Sequence, residues 1–308
     1  MIRQGSFLHG SQGVNVSKDN AITRLPARPV KFDWQQTSPE WVPNDPFTSH
    51  FINVLHLLLP EGELWFCRVY NKALPLVNEP QLREDVRGFI RQEAIHSRSH
   101  SVVLEHFYQQ HGIDTTGYTG KVRWLFTQLL GDHPLGLQTS WQWLEKFWLI
   151  FRLGLIAAIE HYTCIIGKWI LESRGLDDAG ADPVMLDLLR WHGAEEVEHR
   201  SVAHELFVSV GGGYLQRQVL MLLVGPVLLA LWLLGTRYFL GQCTDRTQRF
   251  RLLREWRRAV AQDRLPSLGM LLQAASRYLK RDFHPDSEAS ETLATDYLAV
   301  SPAAKAAA

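Results

Sequence analysis

Two short stretches of the chain concentrate side chains that bind protons and metals. In WHGAEEVEHR, Trp191 to Arg200, two histidines and three glutamates fall within eight residues. Residues three and four apart on an α-helix share a face. His192, Glu196 and His199 therefore point in one general direction. Glu198 lies on roughly the other side and Glu195 between, placed to face solvent or to support the convergent set. The Glu-x-x-His spacing occurs once more, in RQEAIHSRSH, as Glu93 and His96 with His100 one turn further on. It occurs nowhere else in the chain. Carboxylate oxygen and imidazole nitrogen on one helical face are ligands for a divalent metal, and this donor set suits iron or manganese.

Two further glutamates extend the pattern. Glu160 sits in LGLIAAIEHYTCIIGKWI, an otherwise apolar run. An unpaired carboxylate there costs several kcal/mol or becomes protonated, roughly 2–7 kcal/mol for a polar group and more for a charge. Metal coordination would offset that cost. Glu63, in LPEGELWF, stands thirty residues before Glu93, and Glu160 stands thirty-six before Glu196. The chain thus reads Glu, then Glu-x-x-His, twice. A four-helix di-metal site needs that order: one glutamate from each of two helices and Glu-x-x-His from each of the other two. Glu93 and Glu196 are the candidate bridges. Glu63 and Glu160 are candidate terminal carboxylates, and His96 and His199 terminal imidazoles. Glu61 remains an alternative to Glu63. His161 is about 100° around the helix from Glu160 and reads as packing. His56 would share a face with Glu63 only if Pro60 does not bend the helix. His100 is either a ligand or a supporting histidine.

The elements that must position these residues read as helices almost throughout, with no clear alternating strand pattern. Residues 1–45 carry Pro26, Pro29, Pro39 and Pro43 and read as an extended arm anchored by tryptophans. Asp45 and Pro46 signal a helix start, and Pro60 a kink or a new helix. Pro80 opens a helix that stops at Gly112. A further helix is expected over 121–131, and a long apolar one over Trp141–Ser173. Asp182 and Pro183 start another, expected to run to the glycines at 211–213. The expected organisation is an arm over 1–45, a helical bundle over 46–240 that includes an apolar helix at 219–236, and a basic helical segment with a partly disordered tail over 241–308.

With these residues in view, the four elements resemble those of the ferritin-like di-iron carboxylate superfamily. More narrowly, LPEGE, FIRQEAIHSRSH and WHGAEEVEHR resemble a bacterial family known as predicted metal-dependent hydrolases. The resemblance covers about residues 45–240. It implies an all-α, ferritin-like four-helix bundle with additional C-terminal helices, and it favours Glu63 over Glu61. His192 also resembles the extra histidine ligand of di-iron arylamine N-oxygenases. The implied ligand set is Glu63, Glu93, His96, Glu160, His192, Glu196 and His199. The implied cofactor is two iron ions, with manganese or mixed metals as alternatives. The expected activity is O2-dependent oxidation of a hydrophobic small molecule, fed by an electron donor. The alternative is a two-metal-dependent hydrolase, as the family's description implies; metal storage or a structural role ranks lower.

Composition bounds the rest. With 32 basic and 32 acidic side chains the chain gives no reason to expect a nucleic-acid partner. Cys67, Cys164 and Cys243 lie far apart, without disulfide or metal spacing, which fits a reducing compartment. A cytoplasmic location is therefore expected. The run VLMLLVGPVLLALWLLGT, Val219 to Thr236, carries no charge, and RTQRFRLLREWRR follows with six arginines and one glutamate. Together they suggest contact with the inner face of the cytoplasmic membrane, with a buried helix that closes the bundle or the lining of an apolar substrate tunnel as the alternatives for 219–236.

Overall fold

Side-chain caps set where the long helices begin. Asp45 accepts from the Thr48 amide and precedes Pro46, so α1 starts there and runs Pro46–Ala73. Glu79 accepts from the Gln81 and Leu82 amides and opens α2, Pro80–His111, which Gly112 closes with φ +66°. Asp182 accepts from Val184 and Met185 and opens α6, Pro183–Glu198. The apolar α4, Gln142–Glu172, falls where the sequence places it. The computed structural model describes residues 24–137, 141–243 and 251–307.

Among the described residues the structure is all-helical, without strands. The class read from the sequence holds: a helical bundle with additional C-terminal helices, one of them strongly apolar. α1 packs along α2 and α4 along α6, and α1 also touches α4, so four helices enclose one interior. The α4–α6 approach is unusually close. A Cβ built on Gly167 would lie 2.5 Å from the Gly193 carbonyl oxygen, and one on Gly193 would lie 2.9 Å from the Gly167 Cα. Only glycine permits that contact. It lies two turns from Glu160 and one from Glu196, so it fixes how far apart those carboxylates sit.

Several local expectations need correction. Pro60 neither ends nor replaces a helix: α1 is continuous through it. The helix expected over 121–131 begins earlier, as α3, Thr116–Trp124, and continues as a π turn over Leu125–Leu129. The helix expected to reach the glycines breaks at His199, where φ/ψ move to −98°/15°, and resumes as α7, Val202–Ser209. A single turn, α5, Gly175–Asp178, links α4 to α6.

The apolar helix is α8, Tyr214–Cys243. It lies against α1 and α4 and leaves its other face outward, with Leu215, Val219, Leu222, Leu229 and Leu234 exposed. Both α4 and α8 are long and apolar enough to cross a membrane by length and composition, but α4 is mostly buried within the protein. The arginine run falls partly on 244–250, outside the described residues. Its remainder forms α9, Leu252–Ala261, where Arg258 pairs with the α1 cap Asp45. Then follow α10, Leu268–Tyr278, α11, Glu291–Leu298, and α12, Pro302–Ala307. The tail expected to be partly disordered is docked on α6. Asp187 accepts from Tyr297 and Ser301 hydroxyls and the Ala303 amide. The arm packs inward through Trp34, Trp41 and Val42; Trp41 donates to Asn53. Its first 23 residues lie outside the described region.

Two outcomes follow from this packing. Gly167→Ala pushes two helix backbones apart and should lower stability by roughly 1–3 kcal/mol, read as a fall in melting temperature. His50, His161 and His204 are buried away from the carboxylate cluster, and burial holds each at about 4. The unfolded chain binds these protons near 6.5, so it holds more protons than the native state between those values. Their contribution to stability should be complete above about pH 6.5 and fall as pH drops towards 4. Urea unfolding across that range checks this on the protein and on its His50→Gln, His161→Gln and His204→Gln variants, which should lose part of the fall.

Candidate metal centre

Each of the four packed helices contributes a carboxylate to the interior. Glu63 comes from α1, Glu93 and His96 from α2, Glu160 from α4, and His192 and Glu196 from α6; His199 sits at the α6 terminus. All seven are buried. Glu93, His96, Glu196 and His199 place one donor atom each within 4.8 Å of one another, and so do Glu63, His100 and His192. His192 Nε2 is 2.7 Å from Glu196 Oε1 and 3.7 Å from Glu63 Oε1, which joins the two groups. Glu93 Oε1 stands 3.7 Å from His96 Nδ1 and 3.4 Å from His199 Nε2. Glu160 Oε2 stands 3.0 Å from His199 Nδ1. Glu61 instead pairs with Arg123, away from this interior.

The donor atoms fit a pair of cations. Both oxygens of Glu63, Glu93 and Glu160, Glu196 Oε2, His96 Nδ1 and both His199 nitrogens are buried without a hydrogen bond among the described residues. Buried polar atoms ordinarily find partners. Four carboxylates together carry the charge that two divalent ions neutralise. Without a cation, burial, aided by Glu93, pushes Glu63 well above the ordinary carboxylate range. Burial and Glu196 do the same to Glu160, and burial raises Glu93 to about 7. Burial opposes ionisation of Glu196 too, yet His199, His192 and His96 hold it at about 2.

A second layer of contacts aims the imidazoles. Glu195 Oε2 lies 2.8 Å from His96 Nε2, so that nitrogen donates outward and Nδ1 is left facing the cluster. Fixing a ligand's tautomer through its far nitrogen is a usual feature of metal histidines. Glu195 is itself held by Trp191 Nε1 at 3.1 Å and by Arg28 at 2.7 Å. Arg28 also forks onto both oxygens of Glu198, which accepts from Gln92. On the other side, His192 Nδ1 meets His100 Nε2 at 2.6 Å, and His100 Nδ1 meets His56 Nδ1 at 2.7 Å. Both ring nitrogens of His100 are thus engaged by histidines, which favours a supporting role over ligation. His56, set aside because of Pro60, belongs to this column because α1 stays straight enough to share its face.

Sequence spacing finds neither Arg28 nor the role of His56, while for Glu195, left open between solvent and support, the contact with His96 decides for support. Arg28 is 167 residues from Glu195, and no periodicity connects an arm to a helix. A cavity of about 1410 Å³ opens onto the cluster, where Glu63, Glu93, Glu160, His192 and Glu196 form part of its wall.

An all-α chain that gathers carboxylates and histidines from four helices belongs to the class of helical metal-site proteins of which the ferritin-like di-metal carboxylate proteins are examples. The chain belongs to the family described as predicted metal-dependent hydrolase, whose model matches residues 26–289. Comparison with curated proteins and with solved structures gives no match.

The arm contact yields a direct test. Arg28→Gln removes the cation beside two buried carboxylates and should weaken metal binding about 10–100-fold, measured by competition with a metal-sensing dye. Arg123→Gln, on the Glu61 side, should leave the affinity unchanged.

Proposed function

We propose that the protein is a di-metal enzyme that acts on a long apolar substrate held in the cavity beside the cluster. The observation that carries this reading is the continuity between the two. The buried carboxylates form one end of a chamber whose remaining wall is largely leucine, isoleucine, phenylalanine and tryptophan. Glu93 and Glu196 belong to one group with His96 and His199, Glu196 reaches His192 of the other, and these two carboxylates would be shared between the ions. Glu63 with His192, and Glu160 with His199, would complete the two ends, and His96 would add its Nδ1. Two divalent ions bound there would lower the pKa of water for hydrolysis or, if iron, pass electrons to dioxygen. Either chemistry benefits from the apolar wall, which excludes bulk water and strengthens every charge interaction inside.

Hydrolysis of an ester or amide with a long apolar chain is the reaction we favour, because the family's description points that way. Arg28 and Glu195 would keep His96 oriented, and His100 and His56 would do the same for His192. Oxidation of the chain is the second reading. It is favoured by one feature: among the described residues the cavity wall near the cluster offers no lysine, arginine or serine to receive a developing oxyanion or bind a leaving group, and only the Tyr162 and Thr163 hydroxyls stand beside Glu160. That route needs an electron donor as partner.

One set of measurements separates these readings. Metal analysis of the protein loaded with iron, manganese or zinc should give about two ions per chain, the number its four carboxylates balance. Glu160→Ala should lose at least one. The loaded protein is then offered long-chain nitrophenyl esters, and separately is reduced without air and exposed to O2. Ester cleavage lost in Glu160→Ala supports hydrolysis. O2 consumption without cleavage supports oxidation, and a full metal complement in Glu160→Ala would overturn the proposed centre.

A further inference from the structure

The cavity is long as well as apolar. Its wall follows α1 from Phe51 to Phe66, fifteen residues and so about 22 Å of helix at 1.5 Å per residue. At one end stand the cluster carboxylates. Elsewhere, among the described residues, the wall carries two charged side chains, Arg237 on α8 and Arg251 before α9. Both are exposed, and neither guanidinium has a carboxylate partner among the described residues.

The place of Arg237 along the cavity follows from packing. Trp232 Nε1 donates to the Phe51 carbonyl at 2.8 Å. A Cβ on Gly235 would meet Val54 Cγ1 at 2.8 Å. Arg237 therefore lies beside the Phe51–Val54 turn, and Glu63 is nine residues beyond Val54, about 14 Å along the helix. Charge and metal ligands thus occupy separate parts of one apolar chamber.

From this arrangement we infer that the cavity takes a single-chain anionic amphiphile, its head group between Arg237 and Arg251 and its hydrocarbon chain laid along α1 towards Glu63. The two guanidiniums on the wall, neither with a carboxylate partner among the described residues, match a carboxylate or phosphate, which they can bind with charge-assisted hydrogen bonds. The leucines that line the wall match the chain. Leu222, Leu229, Leu233, Leu253, Leu268 and Leu272 line the cavity and are also exposed. A mouth so rimmed accepts its ligand either from solution or from a bilayer pressed against α8. The inference rests on the reading of the cavity as the substrate chamber, and names the class of molecule that fills it. With the head group at the arginines, hydrolysis at the cluster requires an ester or amide bond far along the chain, whereas a plain hydrocarbon end there is the substrate of the second, oxidative reading.

The test is binding, read without turnover. The metal-loaded full chain is titrated with palmitate and with hexadecanol by displacement of a fluorescent fatty acid. Palmitate should bind at least about tenfold more tightly, the scale of one charge-assisted contact. Arg237→Gln with Arg251→Gln should abolish that preference, leave hexadecanol affinity unchanged and leave metal content intact. Leu59→Trp, which narrows the cavity, should weaken both ligands. In parallel, flotation with phosphatidylglycerol vesicles reads the membrane route. Vesicle binding that depends on the two arginines, with weak palmitate binding, identifies a membrane lipid as the source. Tight palmitate binding without flotation identifies a free acid. Equal affinity for acid and alcohol, with no arginine-dependent flotation, overturns the proposal. Metal content is measured on the same samples, so loss of the centre and loss of the ligand site register separately.

Discussion

Four carboxylates share one dry space, and the rest of the molecule is arranged around that fact. Glu63, Glu93, Glu160 and Glu196 repel one another, and each would be far better solvated in water. Nothing in the apolar packing of α1, α2, α4 and α6 calls for them. The protein meets the cost in two ways. Histidines stand against the carboxylates on the inside, and a lattice of outer contacts holds those histidines at fixed angles. The close passage of Gly167 over Gly193 then sets the span between two of the four acids. The centre is thus over-determined by backbone, by imidazoles and by the groups behind them, as a site must be if its geometry is to persist without help from solvent.

The same interior joins two solvents of opposite character. On the α2–α6 side, Glu195, Arg28, Glu198 and Gln92 form a polar network that ends in the arm. On the α1–α4–α8 side the surroundings are hydrocarbon. The cavity meets the cluster from its apolar side, while the polar network stays behind the ligands. α8 covers the cavity with one face, and its other face is exposed.

What was legible in the sequence was local or chemically incongruous. His192, Glu196 and His199 could be grouped because helical spacing is a property of neighbouring residues. Glu160 stood out because an acid in an apolar run demands a reason. The long helices could be placed because Asp45, Gly112 and Asp182 act within one turn of their own position. The rest depended on partners far away in the chain. The break at His199 carries no proline or glycine signal beside it. Pro60 lies inside a helix that tertiary contacts keep intact. The tail within 241–308 reads as partly disordered, yet Asp187 on α6 anchors Tyr297, Ser301 and Ala303, a contact that local sequence cannot announce. Arg28 was invisible for the same reason, since an arginine in a proline-rich arm has no periodicity to betray it.

The separation between Arg28 and Glu195 has a consequence for how the molecule comes to exist. Arg28 leaves the ribosome before α6, and its partner there is made 167 residues later. Contacts of such long sequence separation form slowly, because a large loop must close before they are rewarded. Throughout synthesis of α1 to α4 the acids of the centre have neither Arg28's network nor the imidazoles of α6 beside them. The contact between Arg28 and Glu195 therefore has to wait for α6. In a chain ordered this way, the outer side of the centre can close only once the last of its four helices has been made.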